Sequence, residues 1–149
     1  MRKQVFILLL AGLSVLLLIG LAQPCAEPEQ KQPTATLTPK EFLKQELFRN
    51  GFTNRDFSIL EAVFFCESSW EQRYEDGTVK VSNGNIGLAQ INRFAHEIEY
   101  TKLGLDPYDD FQNLKYAIIL YKRNGVRDWL QWSGHCFVPL LAQQGIIIK

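Results

Sequence analysis

The amino-terminal segment of this chain constrains its fold most strongly, because residues 1-22 are not expected to belong to a folded core. Residues 1-3 are Met-Arg-Lys, and an almost unbroken apolar run follows over residues 5-22. A charged start, a leucine-rich centre and small residues at Gly20 and Ala22 are typical of a signal peptide cut near Ala22. The run is also near the shortest length that spans a bilayer, so an uncleaved N-terminal membrane anchor is the alternative. We therefore expect an exported protein, periplasmic or extracellular, with or without a membrane tether.

The next segment has the composition of a disordered linker. Residues 23-37 consist mainly of Pro, Gln, Glu and Thr, which bury too little apolar surface to fold alone. Cys25 raises the question of lipid attachment, but Pro24 stands where lipid-attachment signals have a small residue. Residues 38-149 then remain for one domain with one core.

The charge and composition of the chain indicate which classes of partner it can bind. The chain has 16 basic and 16 acidic side chains, and 46% of its residues are hydrophobic. That hydrophobic content is typical of a folded domain. A net charge of zero provides no broad positive field for a phosphate backbone. We expect a monomer with no nucleic-acid partner, no cofactor and no metal.

Two capped starts predict helices at the front of the domain. Thr38, Pro39 and Glu41 match an N-cap, a first-turn proline and a capping-box glutamate, and Gly51 marks the end of that helix. Thr53 begins the next helix in a similar way. Apolar residues then recur on one helical face, which continues into a glutamate: Phe57, Leu60, Val63, Phe64 and Glu67.

The remaining pattern is mixed. An apolar face with helical spacing predicts a second long helix over residues 110-124. Turn signals at residues 76-77 (Asp-Gly) and 83-84 (Asn-Gly) enclose a short β-branched run and predict a small hairpin. Trp129 and Trp132 stand three residues apart in a short helical pattern. The predicted fold class is α+β, mostly α, with a small β-hairpin lobe.

Cys66 and Cys136 are expected to form a disulfide. Exported proteins meet an oxidising environment, and a small domain often gains from a covalent crosslink. Two separate buried thiols are one alternative. A nucleophilic Cys66 is another, although reactive thiolates are usually stabilised at a helix N-terminus and Cys66 lies at the other end. A zinc site formed by both cysteines with His96 and His135 has no known ligand spacing.

The carboxyl of Glu67 is the strongest candidate for chemistry. It ends an apolar helical face beside Phe64, Phe65 and Trp70, where desolvation would raise its pKa. A carboxyl that stays protonated near neutral pH can donate a proton to a leaving glycosidic oxygen. The alternative is a helix-terminal glutamate that reaches solvent or an ion pair.

Two motifs resemble the paired signature of the lysozyme superfamily, in particular the soluble lytic transglycosylase domain and its short specialised relatives. Residues 67-70 read Glu-Ser-Ser-Trp, and residues 87-92 read Gly-Leu-Ala-Gln-Ile-Asn after a turn-rich stretch. The likeness extends over roughly residues 55-136. It implies a lysozyme-like fold with a groove that binds alternating N-acetylglucosamine and N-acetylmuramic acid, and it implies a bridge between Cys136 and the glutamate's helix.

The resemblance also implies a role for each matching position. Glu67 would be the general acid, while Gly87 and Leu88 would present main-chain groups, and Gln90 its amide, to the glycan. The full set of glycan-binding residues implied in this way is Ser82, Asn85, Gly87, Leu88, Gln90, Tyr121 and Trp129. For Tyr121 and Trp129 the alternative is a place among the core aromatics. Ala89 replaces the methionine usual in the motif, and the family's tyrosine near the acid has no counterpart.

Asn85 decides which reaction is expected. Animal-type lysozymes have an aspartate at this place, and an amide cannot act as a nucleophile or an anionic stabiliser. The carboxyls that could substitute are Glu75, Asp76, Asp106, Asp109 and Asp110. Lytic transglycosylases use one glutamate, first as acid and then as base, while the muramyl C6 hydroxyl attacks C1 to give a 1,6-anhydro product. We expect such an enzyme acting on peptidoglycan in the cell wall; the alternatives are a muramidase that adds water and a non-catalytic peptidoglycan-binding module.

Overall fold

Five helices and three short strands make up residues 37-148, the part of the chain that the computed structural model describes. The helices are α1 (Pro39–Arg49), α2 (Asn54–Ser68), α3 (Arg93–Lys102), α4 (Asp110–Asn124) and α5 (Arg127–Gln143). The strands are β1 (Val81–Ser82), β2 (Asn85–Ile86) and β3 (Ile91–Asn92). The prediction of a mostly helical α+β fold is confirmed. The expected signal segment, Cys25 and linker residues 23-36 lie outside the described residues.

The first two helices begin where the sequence predicts. The Thr38 hydroxyl accepts a hydrogen bond from the backbone N–H of Glu41 at 3.3 Å, and the Glu41 carboxylate accepts one from the Thr38 backbone at 2.8 Å. Thr53 and Asp56 form the same capping box at the start of α2. An N-cap contributes about 1 kcal/mol. Gly51, with φ +81°, follows the end of α1 and lets the chain turn towards α2.

The apolar stripe of α2 packs into the core, where α2 contacts α1 and α5. Helix α4, which begins and ends where its apolar face predicts, packs against α1 and α5. The hydrophobic side chains that these helices bury completely are Leu43, Leu47, Leu60, Val63, Phe64, Leu114, Tyr116, Ala117, Phe137 and Leu141. Because they come from four helices, the core holds the end of α2 in a fixed position relative to α4 and α5.

The predicted disulfide is confirmed. Cys66 near the end of α2 is bonded to Cys136 in α5, with their Cα atoms 6.0 Å apart. The bridge leaves neither sulfur as a free thiol, which removes the alternatives of two separate thiols, a nucleophilic Cys66 and a zinc site built on both cysteines. It fastens α5 to the turn of α2 that carries Glu67.

The predicted hairpin is present and has a third strand. β1 pairs antiparallel with β2 in the register Val81 to Ile86, and β2 pairs antiparallel with β3. Asn83 and Gly84 have φ values of 51° and 81°, which suits the two-residue turn that Asn-Gly favours. β3 is only two residues long, too short to produce an alternating sequence pattern.

Two helices differ from the sequence prediction. α3 has no predicted counterpart, because most of its face is exposed and Tyr100 is its one buried residue. α5 extends over 17 residues, although only a short helical pattern around Trp129 and Trp132 was evident. Gly134 and Pro139 lie inside it and weaken the helical signal, whereas burial of its inner face sustains the helix. None of the helices within residues 37-148 has the length and apolar character that a membrane span requires.

Candidate active site

Glu67 occupies the last turn of α2, one residue after the disulfide. Its Oε1 atom lies 2.5 Å from the hydroxyl oxygen of Ser133 on α5. Ser133 is buried, with 5% of its surface exposed, and its hydroxyl also lies 3.2 Å from the Trp129 carbonyl oxygen. The hydrogen bond from Ser133 therefore holds the carboxyl, while the disulfide at the preceding residue links the end of α2 to α5.

Burial sets the proton affinity of Glu67. Desolvation raises the pKa of its carboxyl, and the hydrogen bond from Ser133 lowers it by a smaller amount, so the net shift is upward. The direction agrees with the sequence argument, but the neighbours differ. Phe65 is exposed, and the Trp70 indole donates to the Glu61 carbonyl at 3.2 Å. Neither of these aromatics lines the cavity that contains Glu67.

We call this space the Glu67 cavity. It is lined by Glu67, Asn85, Gln90, Ile91, Asn92, His96, Leu120, Asp128, Trp129 and Trp132. Its volume is about 50 Å³, which is room for about two water molecules at the volume that each occupies in the liquid. A sugar ring is larger than this, and one of the lining residues, Trp132, is 70% exposed.

The hairpin positions one wall of the Glu67 cavity. Asn92 donates from its side-chain amide to Asn85 Oδ1 at 2.8 Å, and its own Oδ1 accepts from the backbone N–H of Ala95 at the start of α3. Gln90 has φ +48° and donates its side-chain amide to the Gly87 carbonyl at 2.8 Å. These bonds join the hairpin to α3 and place two predicted residues, Asn85 and Gln90, in the cavity with Glu67.

Gly87 and Leu88 lie beneath the site and not on its surface. The Leu88 backbone N–H donates to Gln72 Oε1 at 2.7 Å, and its carbonyl accepts from the Ser68 hydroxyl at 2.8 Å. Leu88 is fully buried, and neither residue lines the cavity. The expectation that they offer main-chain groups to a glycan is therefore corrected: those groups of Leu88 are already paired within the protein.

The close approach at Gly87 explains why glycine is required there. A Cβ on Gly87 would lie 2.3 Å from Gln72 Oε1 and 2.7 Å from Asn113 Nδ2, and φ is +70°. The Asn113 amide donates to the carbonyls of Ile86 and Pro107 and accepts from the backbone N–H of Ala89. Two buried amide side chains thus hold the loop behind the cavity. Sequence reasoning missed this role, since a single buried amide in a helix gives no periodic signal.

The remaining predicted residues fall in different places. Trp129 is buried, lines the Glu67 cavity and donates its indole N–H to the Ala89 carbonyl at 2.8 Å. Ser82 is exposed on β1 and does not line the cavity. Tyr121 donates its hydroxyl to Asp56 Oδ1 at 2.8 Å and lines a separate cavity of about 390 Å³. Tyr121 therefore belongs with the core aromatics, away from Glu67.

Two ionisable groups that the sequence did not assign to the site line the Glu67 cavity: Asp128, and His96, which was considered only as a zinc ligand. Asp128 lies in the first turn of α5, and both of its carboxylate oxygens accept from the Asn124 side-chain amide at 3.1 and 3.2 Å. The carboxyls proposed from sequence as substitutes lie elsewhere: Asp76 caps its own turn through Thr78, and Asp109 caps α4. Finding Asp128 requires knowing that α5 starts beside the end of α2.

Comparison with known proteins leaves the family undecided. Protein-family models, curated proteins and solved structures were each searched, and none matched this chain significantly. Within residues 37-148, no group of three or more His, Cys, Asp or Glu side chains is arranged to hold a metal ion. The class that the fold defines is a mostly helical α+β domain with a small antiparallel sheet, and its most distinctive site is a partly buried glutamate that lines a cavity.

Proposed function

We propose that this protein is a peptidoglycan lytic transglycosylase with a lysozyme-like fold. Two independent lines support the proposal. The motifs at residues 67-70 and 87-92 resemble the paired signature of that family. In the structure, Glu67 and Gln90, one from each motif, line a single cavity. The observation that carries the proposal is the Glu67 carboxyl, whose pKa burial raises and which lines a cavity beside the exposed Trp132.

The proposed reaction begins with Glu67 as the acid. A neutral carboxyl protonates the oxygen between N-acetylmuramic acid and N-acetylglucosamine while the β-1,4 bond to C1 lengthens and the ring becomes cationic. The C6 hydroxyl of the muramyl residue then closes on C1. In the route that the resemblance implies, Glu67, now a carboxylate, accepts the C6 proton. No water is consumed, and the product ends in 1,6-anhydro-N-acetylmuramic acid.

The walls of the cavity suggest how a glycan would be held. The exposed face of Trp132 can stack on a sugar ring, and the amides of Asn85 and Gln90 can meet N-acetyl or hydroxyl groups. Ser82 on β1 does not line the cavity, so only a glycan strand that extends beyond the cavity would contact it. Because the net charge is zero, affinity would come from aromatic contacts and hydrogen bonds.

The compartment in the proposal is outside the cytoplasm, where peptidoglycan lies. The disulfide between Cys66 and Cys136 is consistent with an oxidising compartment. The apolar run at residues 5-22 supplies the expected export signal or anchor.

A muramidase that adds water is the second candidate, and one observation favours it. Asp128 lines the same cavity as Glu67, and hydrolysing glycosidases generally use two carboxyl groups. Asn85 still stands where animal-type lysozymes have their aspartate, so Asp128 would have to act from the α5 side. The two candidates differ in their products: anhydro ends for the transglycosylase, reducing ends for the muramidase.

The proposal is tested with purified, dye-labelled murein. Wild-type protein should release soluble dye, and Glu67→Gln should lower the rate by at least about a hundredfold, since general acid catalysis contributes 10²–10⁴. Glu61→Gln is the matched control on the same helix, because Glu61 forms only an exposed ion pair with Lys40, and it should retain full activity. Binding of wild type to murein without release of dye would refute the enzyme and favour the binding module.

A further inference from the structure

His96 has a hydrogen-bond environment that the proposed single-glutamate reaction does not use. It lies on α3 and lines the Glu67 cavity from a different helix than Glu67 does. Its Nδ1 atom is 3.2 Å from the hydroxyl oxygen of Tyr116 on α4. Tyr116 is fully buried, and the two rings meet edge to face with centroids 5.6 Å apart.

The partners of Tyr116 determine which nitrogen of His96 carries the proton. The Tyr116 hydroxyl has one hydrogen, which it donates to Glu99 Oε2 at 2.8 Å, and an ionised acceptor makes the stronger bond. Glu99 is itself bound by Arg123, which lowers the pKa of its carboxyl. Burial and the bond to Glu99 raise the pKa of Tyr116, so the phenol keeps its hydrogen.

The tautomer of neutral His96 follows from this chain of bonds. Since the Tyr116 hydrogen is directed at Glu99, the Tyr116 oxygen can only accept from Nδ1, which must therefore carry the hydrogen. Nε2 is then left with a free lone pair. The network from Arg123 through Glu99 and Tyr116 thus prepares His96 to accept a proton at Nε2.

Charges around His96 suit a group that is neutral at rest and gains a proton during turnover. Burial is the main influence and lowers the pKa of His96; Asp128 and Glu99 raise it, and Arg123 lowers it. Burial therefore favours the uncharged form of both His96 and Glu67, which is the combination of a base and an acid. Once His96 has taken a proton, Asp128 from α5 and Glu99 from α3 stabilise the imidazolium.

We propose that His96 is a further catalytic residue, the base that accepts the proton of the attacking muramyl C6 hydroxyl. This inference rests on the proposed function. Glu67 gives its proton to the glycosidic oxygen as the C1–O bond breaks, the C6 oxygen forms the new bond to C1, and the C6 proton goes to Nε2 of His96. The imidazolium returns that proton to the Glu67 carboxylate through water, so both groups are restored and no water is consumed.

His96→Asn tests the proposal by kinetics, because the asparagine amide can keep the bond to Tyr116 while Nε2 is lost. The expected result is a fall in kcat of about 10²-fold or more with little change in KM. Wild type should also lose activity at low pH, where His96 is protonated, and His96→Asn should lack that acid limb. His135→Asn is the matched control, since the exposed His135 on α5 does not line the cavity.

The product analysis separates the two proposals. If wild type forms anhydro ends and His96→Asn does so at a rate within about twofold with the acid limb intact, His96 is not the base and Glu67 accepts the proton itself. If wild type forms no anhydro ends, the transglycosylase proposal fails, and the base assignment fails with it.

Nitrogen-15 NMR tests the tautomer of His96 directly and does not require an enzymatic assay. Above its pKa, His96 should show the hydrogen on Nδ1, whereas His135 should show the Nε2–H form usual for an exposed histidine. Tyr116→Phe should remove the Nδ1 preference of His96 while far-ultraviolet circular dichroism stays unchanged. A hydrogen on Nε2 of His96 in the wild-type protein would overturn the inference.

Discussion

Replacing Ser133 with alanine should shift the pH dependence of activity in a direction that the site geometry dictates. The Ser133 hydroxyl lies 2.5 Å from Glu67 Oε1, and this bond lowers the pKa of a carboxyl that burial otherwise raises. Ser133→Ala leaves burial unopposed, so the pKa of Glu67 rises further. Because the proposed reaction uses Glu67 in its protonated form, the basic limb of the rate profile should move to higher pH.

The size of the shift follows from the strength of one hydrogen bond. A hydrogen bond to a charged group contributes about 1.5–3 kcal/mol, and one to a neutral group about 0.5–1.5 kcal/mol. Only the difference, about 1–1.5 kcal/mol, favours the ionised form, and because about 1.36 kcal/mol corresponds to one pKa unit, the basic limb should move up by about one pH unit. Glu67 remains a proton donor in the variant, and activity should persist below the limb. The assay is kcat/KM for release of dye from labelled murein, measured from acid to mildly alkaline pH.

Ser133→Thr is the control, because it keeps a hydroxyl at the same position. Its basic limb should coincide with that of wild type, and circular dichroism checks that the buried site accepts the extra methyl group. A basic limb that stays in place or moves down in Ser133→Ala would refute the reasoning, since the hydrogen bond would then not favour the ionised form of Glu67.

Three further predictions concern stability and binding. Glu67→Gln should raise the melting temperature by a margin that grows as pH increases from 4.5 through the folded pKa, because the folded protein binds this proton more tightly than the unfolded chain does. Reduction of the Cys66–Cys136 bridge, which closes a separation of 70 residues, should cost about 4 kcal/mol of unfolding free energy in urea titrations. Trp132→Ala should weaken sedimentation with insoluble murein about fivefold, as expected for the loss of about 1 kcal/mol of stacking, while Phe65→Ala should not.

Each of these three predictions would be contradicted by a specific result. Parallel melting curves for wild type and Glu67→Gln across the pH range would mean that the carboxyl is not desolvated. Two thiols titrating from Cys66 and Cys136 in unfolded, unreduced protein would disprove the bridge. Equal effects of Trp132→Ala and Phe65→Ala would place the glycan away from the Glu67 cavity.

The elements that could be predicted from the sequence are those with strong local signals. Thr38 and Thr53 start helices through contacts within one turn, the Asn-Gly pair at residues 83-84 fixes a hairpin turn, and residues 110-124 show a continuous apolar face. Glu67 stood out because it continues such a face. These features depend on neighbours a few residues away, so they can be recognised from the sequence alone.

The parts of the site that escaped prediction are brought together by tertiary packing. Ser133 and Asp128 lie near Glu67 only because α5 packs on α2. The sequence did not predict the full length of α5, because the helix contains a glycine and a proline. His96 lies on α3, whose apolar residues Phe94 and Ile98 are exposed, so the sequence does not show which side of the helix faces the cavity. Leu88 matches the motif, yet its backbone N–H and carbonyl form hydrogen bonds with Gln72 and Ser68. The spacing of residues in the sequence does not reveal these hydrogen bonds.

The central claim, that Glu67 drives intramolecular closure instead of hydrolysis, is tested most directly by the mass of the products. Purified murein is digested to completion with wild-type protein, and the released muropeptides are analysed by mass spectrometry beside a Glu67→Gln digest. The account predicts muropeptides ending in 1,6-anhydro-N-acetylmuramic acid, each lighter by one water than its reducing counterpart, and none from the variant. Reducing ends in the wild-type digest, or fragments released equally by Glu67→Gln, would contradict it.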